Sequence, residues 1–172
     1  MRVDIEHRHP PSQDGWIERA HQAAELGDLQ LESGEVIRDY CQSYVTHGSL
    51  NADRDNLVLV CISLTGNHHR LDFMIGPGKA LDTERFFIVC ADPIANGLST
   101  SPSNSSDQPG MCFPRFAIRD MVHAQYRLLT EVLEVHSAHA IVGASMGGMQ
   151  ALQWAVSHPG LARRVVAMTP MA

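Results

Sequence analysis

The chain has 172 residues, 44% of them hydrophobic, with a formal net charge of −6 and an isoelectric point near 5.9. That is enough apolar material for one sizeable core, so a single domain is expected rather than two. An acidic balance without a Lys/Arg cluster argues against nucleic acid or an anionic membrane surface as a partner, and no window approaches the roughly 18 uninterrupted apolar residues of a membrane span.

The first stretch, "MRVDIEHRHPPSQDGWIERAHQ", lacks the apolar segment of a signal peptide, so a cytoplasmic location is expected. Residues 1–28 read as a polar N-terminal extension holding a short helix over 16–26 that Gly27 closes, and residues 29–172 as part of one catalytic domain. From residue 29, "LQLESGEVIRDYCQSYVTHGSL" alternates on either side of a Ser-Gly turn, which predicts a β-hairpin with a second turn at Gly48. "NLVLVCISL" (56–64), "RFFIVCAD" (85–92) and "HAIVGAS" (139–145) are continuous apolar runs, as strands buried on both faces require, and "RRVVAMTPM" (163–171) is a fourth.

Residues 118–135 carry apolar side chains at three- and four-residue steps (Ile118, Met121, Val122, Leu129, Val132, Leu133), the mark of a helix with one buried face. Residues 148–158 read as a second helix stopped by "HPG". Strands alternating with helices imply right-handed crossovers and a parallel sheet covered on both sides, an α/β fold. "STSPSNSSDQPG" (99–110) is a loop at the carboxyl end of the second parallel strand, the edge where ligand crevices open in such sheets. The four cysteines (Cys41, Cys61, Cys90, Cys112) are widely spaced and read as core residues. Of the ten histidines, "HRH" at 7–9 and "HH" at 68–69 lack a partner pair at zinc-like spacing. Solvated or supporting histidines are therefore expected, with neither a metal nor a bound organic cofactor.

Gly143-Ala144-Ser145-Met146-Gly147 fits G-x-S-x-G and lies between a strand and a helix, where that pattern has mechanical meaning. Glycines two residues either side of Ser145 would relieve crowding at a strained turn, lifting the hydroxyl to the sheet edge in front of a helix N-terminus. The alternative is a tightly packed turn with Ser145 as an ordinary N-cap. A further amide donor is expected in "LTGNHH", so Leu64 and Met146 are the candidate oxyanion pair around a Ser145 nucleophile. "GPGKA" (76–80) fails as a phosphate loop, with Ala80 where Ser or Thr is needed.

Together "LESGEV", "YVTHGSLNADRDN", "LTGNHH", "MIGPGKALDTERFFIVCAD", "FPRFAIRDMVHAQYRLL" and "GASMGGMQALQWAVSHPG" resemble, in order, the N-terminal portion of the homoserine O-acetyltransferase family, within the α/β-hydrolase superfamily. The resemblance implies an α/β-hydrolase sheet without its last strands and lid, an acyl-Ser145 intermediate, acetyl-CoA as substrate rather than cofactor, a homoserine-like hydroxyl as acceptor, and a place in methionine biosynthesis. Its partners would be these small molecules and the C-terminal portion of the same enzyme, with a homodimer left open. Two departures stand out: Ile62 where the family tends to have histidine ("CISLTG" for "CHALTG"), and Ser101 where it tends to have glycine. They leave an esterase or thioesterase as the alternative, and a non-catalytic fragment as a third reading. After Ser145 no Asp or Glu follows, and the one histidine, His158, lies about 20 Å away at the far end of a helix, so the acid and base of a triad are not expected in this chain. Upstream Asp92, His68 or Asp120 could form a triad in a different order, but Asp92 and His68 are as easily explained as turn and loop residues.

Overall fold

The computed structural model describes residues 9–170. Strand β1 (Gln22–Gln30) pairs antiparallel with β2 (Val36–His47) across a turn closed by the Leu31 amide on the Glu35 carbonyl (2.9 Å). The pairing slips at Gly27, whose φ of +65° only glycine adopts freely, as a bulge in the edge strand. The expected helix over 16–26 does not form: residues 16–21 have no regular structure and residues 22–26 are strand. Its apolar residues permit either period, but pairing with β2 buries Ala24, Leu26 and Leu29 together. The sheet therefore begins at Gln22, within the stretch read as an extension.

Strands β3 (Leu57–Cys61), β4 (Phe87–Ala91), β5 (Ala140–Ala144) and β6 (Val165–Met168) complete a six-stranded sheet in the order β1-β2-β4-β3-β5-β6. β4, β3, β5 and β6 run parallel, and β2 joins β4 antiparallel. The continuous apolar run of β3 is explained by its central place. Leu57, Leu59 and Cys61 face the helical layer, while Val58 and Val60, with Ile62 just beyond, face a second cluster that includes Leu71, Ile75 and Leu81. β6 lies at the sheet edge, where Val166 is exposed.

Helix α1 (Ile118–Arg127) buries Met121, Val122 and Ala124 and continues into a π turn (Leu128–Val132), in which the Leu133 amide reaches back five residues to the Leu128 carbonyl at 3.0 Å. That widened turn interrupts the helix expected to run to 135 and leaves Val132 exposed, while Leu128 and Leu129 enter the core. Helix α2 (Met146–Ser157) begins two residues earlier than expected, immediately after Ser145. Among the described residues no helix is long and apolar enough to cross a membrane.

Candidate active site

Ser145 joins β5 to α2 with φ 55° and ψ −122°, a conformation a side chain of its handedness adopts only under constraint. It occupies the N-cap position but makes no capping hydrogen bond through its side chain, and the residue is exposed. An ordinary N-cap would have extended backbone and an occupied hydroxyl. The turn is clamped by backbone contacts: the Ser145 amide donates to the Met168 carbonyl at 3.0 Å, and the Ser145 carbonyl accepts from the Met149 amide at 3.1 Å. Glycine is needed where expected. A Cβ on Gly143 would lie 2.1 Å from the Gly147 carbonyl oxygen, and one on Gly147 would lie 2.2 Å from the Cys61 carbonyl oxygen. The first turn of α2 thus rests directly on the end of β3.

Because β3 and β5 are adjacent and parallel, with Cys61 opposite Gly143, the loop after β3 and the Ser145 turn leave the sheet at the same edge. In that loop the Gly66 amide closes a tight turn on the Ser63 carbonyl (3.1 Å), Thr65 has φ 60°, and Leu64 projects outward with its side chain exposed. Met146 is the first residue of α2, in the turn whose amides have no intrahelical acceptor.

A buried polar network that the sequence reading missed ties the two pieces together. Gln150 donates to the Ile62 carbonyl (3.0 Å) and to the Met146 carbonyl (3.3 Å), and accepts from Gln125 (2.7 Å), whose carbonyl oxygen accepts from the Trp154 indole (2.9 Å). The signal was present: a glutamine one turn after Met146 on an otherwise apolar face. Gln150→Leu strands the Ile62 carbonyl and the Gln125 amide in the core, a cost of about 1–3 kcal/mol for each group left unpaired. Thermal or denaturant unfolding should show that loss, whereas Gln153→Leu, whose amide reaches Ser157, should stay within about 0.5 kcal/mol of the parent. Equal stability of the two variants would remove the network from the account.

The acids and histidines weighed earlier are engaged with other partners. Asp120 is a structural cap, accepting from the Ala117 and Glu32 amides (both 2.8 Å) and so holding the hairpin turn to α1. His158 ends α2 stacked on Tyr126 (centroids 4.0 Å apart), a helix length from Ser145. Asp92 and His68 do form a buried pair, Nδ1 to Oδ2 at 2.9 Å, which corrects their reading as plain loop residues. The His68 ring, however, packs among His9, His21 and His69. Asp92 also receives the His68 amide, the Ser43 hydroxyl and the Asn96 amide, each within 3.0 Å.

Two further expectations are corrected. His68 and His69 are buried rather than solvated, because residues 9–21 fold over the loop after β3. Cys112 is exposed, while Cys41, Cys61 and Cys90 are buried as expected, burial pushing the Cys41 thiol up to about 11. The loop over 99–110 holds no regular strand or α-helix but is tightly bonded. Ser101, buried, donates to the Ser99 carbonyl (2.6 Å) and accepts from the Gly97 amide (2.8 Å), so the serine at this position closes the loop on itself.

A mostly parallel sheet, a strained serine between β5 and α2, and glycines at the points of backbone contact are what a G-x-S-x-G turn between strand and helix requires in one fold. The chain belongs to the alpha/beta hydrolase fold family, whose profile it matches over residues 56–172. It is similar to the homoserine O-acetyltransferase of Sulfurimonas autotrophica, 40% identical over 157 residues that cover 81% of this chain and 42% of that protein. Among solved structures it is similar to an acetylester hydrolase from Corynebacterium glutamicum (TM-score 0.86, 36% identity, 89% of this chain and 45% of that one). It is also similar to the homoserine O-acetyltransferase of Bacillus anthracis (TM-score 0.76, 30% identity, 83% and 44%). The chain therefore spans less than half the length of these relatives.

Proposed function

We propose that the chain carries the nucleophile and oxyanion portion of a serine O-acyltransferase, moving acetyl from acetyl-CoA to the hydroxyl of homoserine or a similar amino alcohol. The observation that carries the reading is Ser145 itself: an exposed residue whose hydroxyl makes no capping bond, on backbone at φ 55°. Its oxygen attacks the thioester carbonyl, the amides of Leu64 and Met146 and the N-terminus of α2 stabilise the resulting oxyanion, and CoA thiol leaves. The acceptor hydroxyl then attacks acetyl-Ser145, releasing the O-acetyl ester and restoring the serine. The base that takes the Ser145 proton and the acid that orients it are, on this reading, expected in the part of the relatives' length that this chain does not span, since the chain covers 42% of the Sulfurimonas autotrophica protein.

Hydrolysis is the second reading, favoured by the likeness to an acetylester hydrolase and by Ile62 and Ser101. Water would then replace the acceptor. The two separate on the full-length enzyme incubated with acetyl-CoA, with and without homoserine. Thiol release that requires homoserine, with O-acetylhomoserine as product, is the expected result, and release indifferent to homoserine would establish the hydrolase. A serine-directed phosphonate should leave one adduct, on Ser145, and its absence would overturn both readings.

A further inference from the structure

Residues 9–21 bring two histidines onto the loop after β3, where a third and fourth already lie. One ring nitrogen from each of His9, His21 and His68 falls within 4.8 Å of the other two. The rings of His21 and His68 are perpendicular with centroids 4.4 Å apart, and His9 stands perpendicular to His21 at 4.6 Å. We propose that these three imidazoles bind a divalent transition-metal ion of the zinc class, which fastens the segment preceding β1 to the loop that carries Leu64.

Hydrogen bonding selects the required tautomers. His68 gives its Nδ1 proton to Asp92 (2.9 Å), leaving the Nε2 lone pair free, and that nitrogen is buried without a hydrogen-bond partner. His21 Nδ1 is likewise buried and without a partner. Buried polar atoms of this kind are otherwise rare, and two of them aimed into one cluster call for a ligand. A carboxylate behind a ligating histidine is the usual support of a metal site, fixing the ring and raising its basicity. His69, bonded to Asp72 through Nδ1 (2.6 Å), meets His9 Nε2 at 3.0 Å and is itself stacked on Trp16 (4.2 Å), so the His9 ring is held in place and its Nδ1 is the nitrogen left for a metal.

Three nitrogens and one water satisfy a tetrahedral ion, and imidazole suits zinc, copper, nickel and iron. With metal–nitrogen bonds of about 2.0–2.1 Å the nitrogens must close to about 3.3 Å apart, a movement open to His9 and His21, which are only partly buried. Sequence spacing hid the site because its ligands are 12 and 47 residues apart and meet only through the tertiary fold.

The test uses the full-length protein, without a histidine tag and stripped of metal by a chelator. Titration with Zn²⁺ against a chromophoric competitor should show one equivalent bound, and Co²⁺ should give the strong visible bands of a four-coordinate site. His9→Ala and His21→Ala, which leave the buried His68–Asp92 pair intact, should each weaken Zn²⁺ by at least about 100-fold. Asp92→Asn should weaken it by about 10–100-fold, and His123→Ala, at an exposed position, should leave it unchanged. Failure to bind one equivalent, or equal affinity in the His9→Ala and His21→Ala variants, overturns the proposal. The readout is binding, so it stands apart from any result on the acyl-transfer reaction.

Discussion

Ser145→Ala in the full-length enzyme is expected to lower kcat by about a million-fold while leaving the protein folded, since removing a nucleophile of this kind abolishes the covalent route and leaves only what oxyanion donors and binding supply. The replacement touches no hydrogen bond that holds the turn, because those bonds run through the Ser145 amide and carbonyl. A second substitution separates chemistry from strain. Backbone at φ 55° costs a non-glycine residue on the order of 1–3 kcal/mol, and alanine inherits that cost, whereas glycine does not. Ser145→Gly should therefore be as inactive as Ser145→Ala yet melt higher, by about 1–2 °C for each kcal/mol recovered in an enzyme more than twice this length. Activity within tenfold of the parent in either variant would sink the nucleophile assignment. Equal melting of the two would show that the turn is not strained.

The largest effect on stability is expected at Gly147. An added Cβ would sit 2.2 Å from the carbonyl oxygen and 2.9 Å from the carbonyl carbon of Cys61, at the end of the central strand. Neither side can yield: β3 is hydrogen-bonded on both edges and buried on both faces, and α2 is anchored through Gln150 to Ile62. Overpacking a well-filled site costs about 1–3 kcal/mol, and a methyl against backbone should reach or exceed the upper end. Gly147→Ala and Gly143→Ala should thus lose about 3 kcal/mol or more, or fail to accumulate. Gly148→Ala offers a graded comparison. Its Cβ would meet the Met168 carbonyl at 2.9 Å, on the edge strand β6, which can move outward. A cost ranking of Gly147 above Gly148 in chemical denaturation is the expected result. A Gly147→Ala protein as stable as the parent would mean that α2 does not rest on β3 as described.

Local pattern made much of this molecule readable from its residues alone. Continuous apolar runs marked β3, β4 and β5 because central parallel strands are covered on both faces. The G-x-S-x-G spacing marked the Ser145 turn, although only part of its steric demand is local: Gly143 must clear the Gly147 carbonyl within the turn, whereas Gly147 must clear the Cys61 carbonyl of β3. That no Asp or Glu follows Ser145 in this sequence was likewise plain from the residue order. Only the tertiary structure decided the rest. Residues 22–26 are strand rather than helix because pairing with β2 outweighs a weak local preference, and Ile62, Gln125, Gln150 and Trp154 form one network because strand and helix ends converge at a single sheet edge. His9, His21 and His68 become neighbours through a fold that carries the first of them back across the loop after β3. Periodicity and local sterics act within a few residues and are written in sequence order, whereas contacts across tens of residues depend on which surfaces bury one another, and that is settled only when the chain packs.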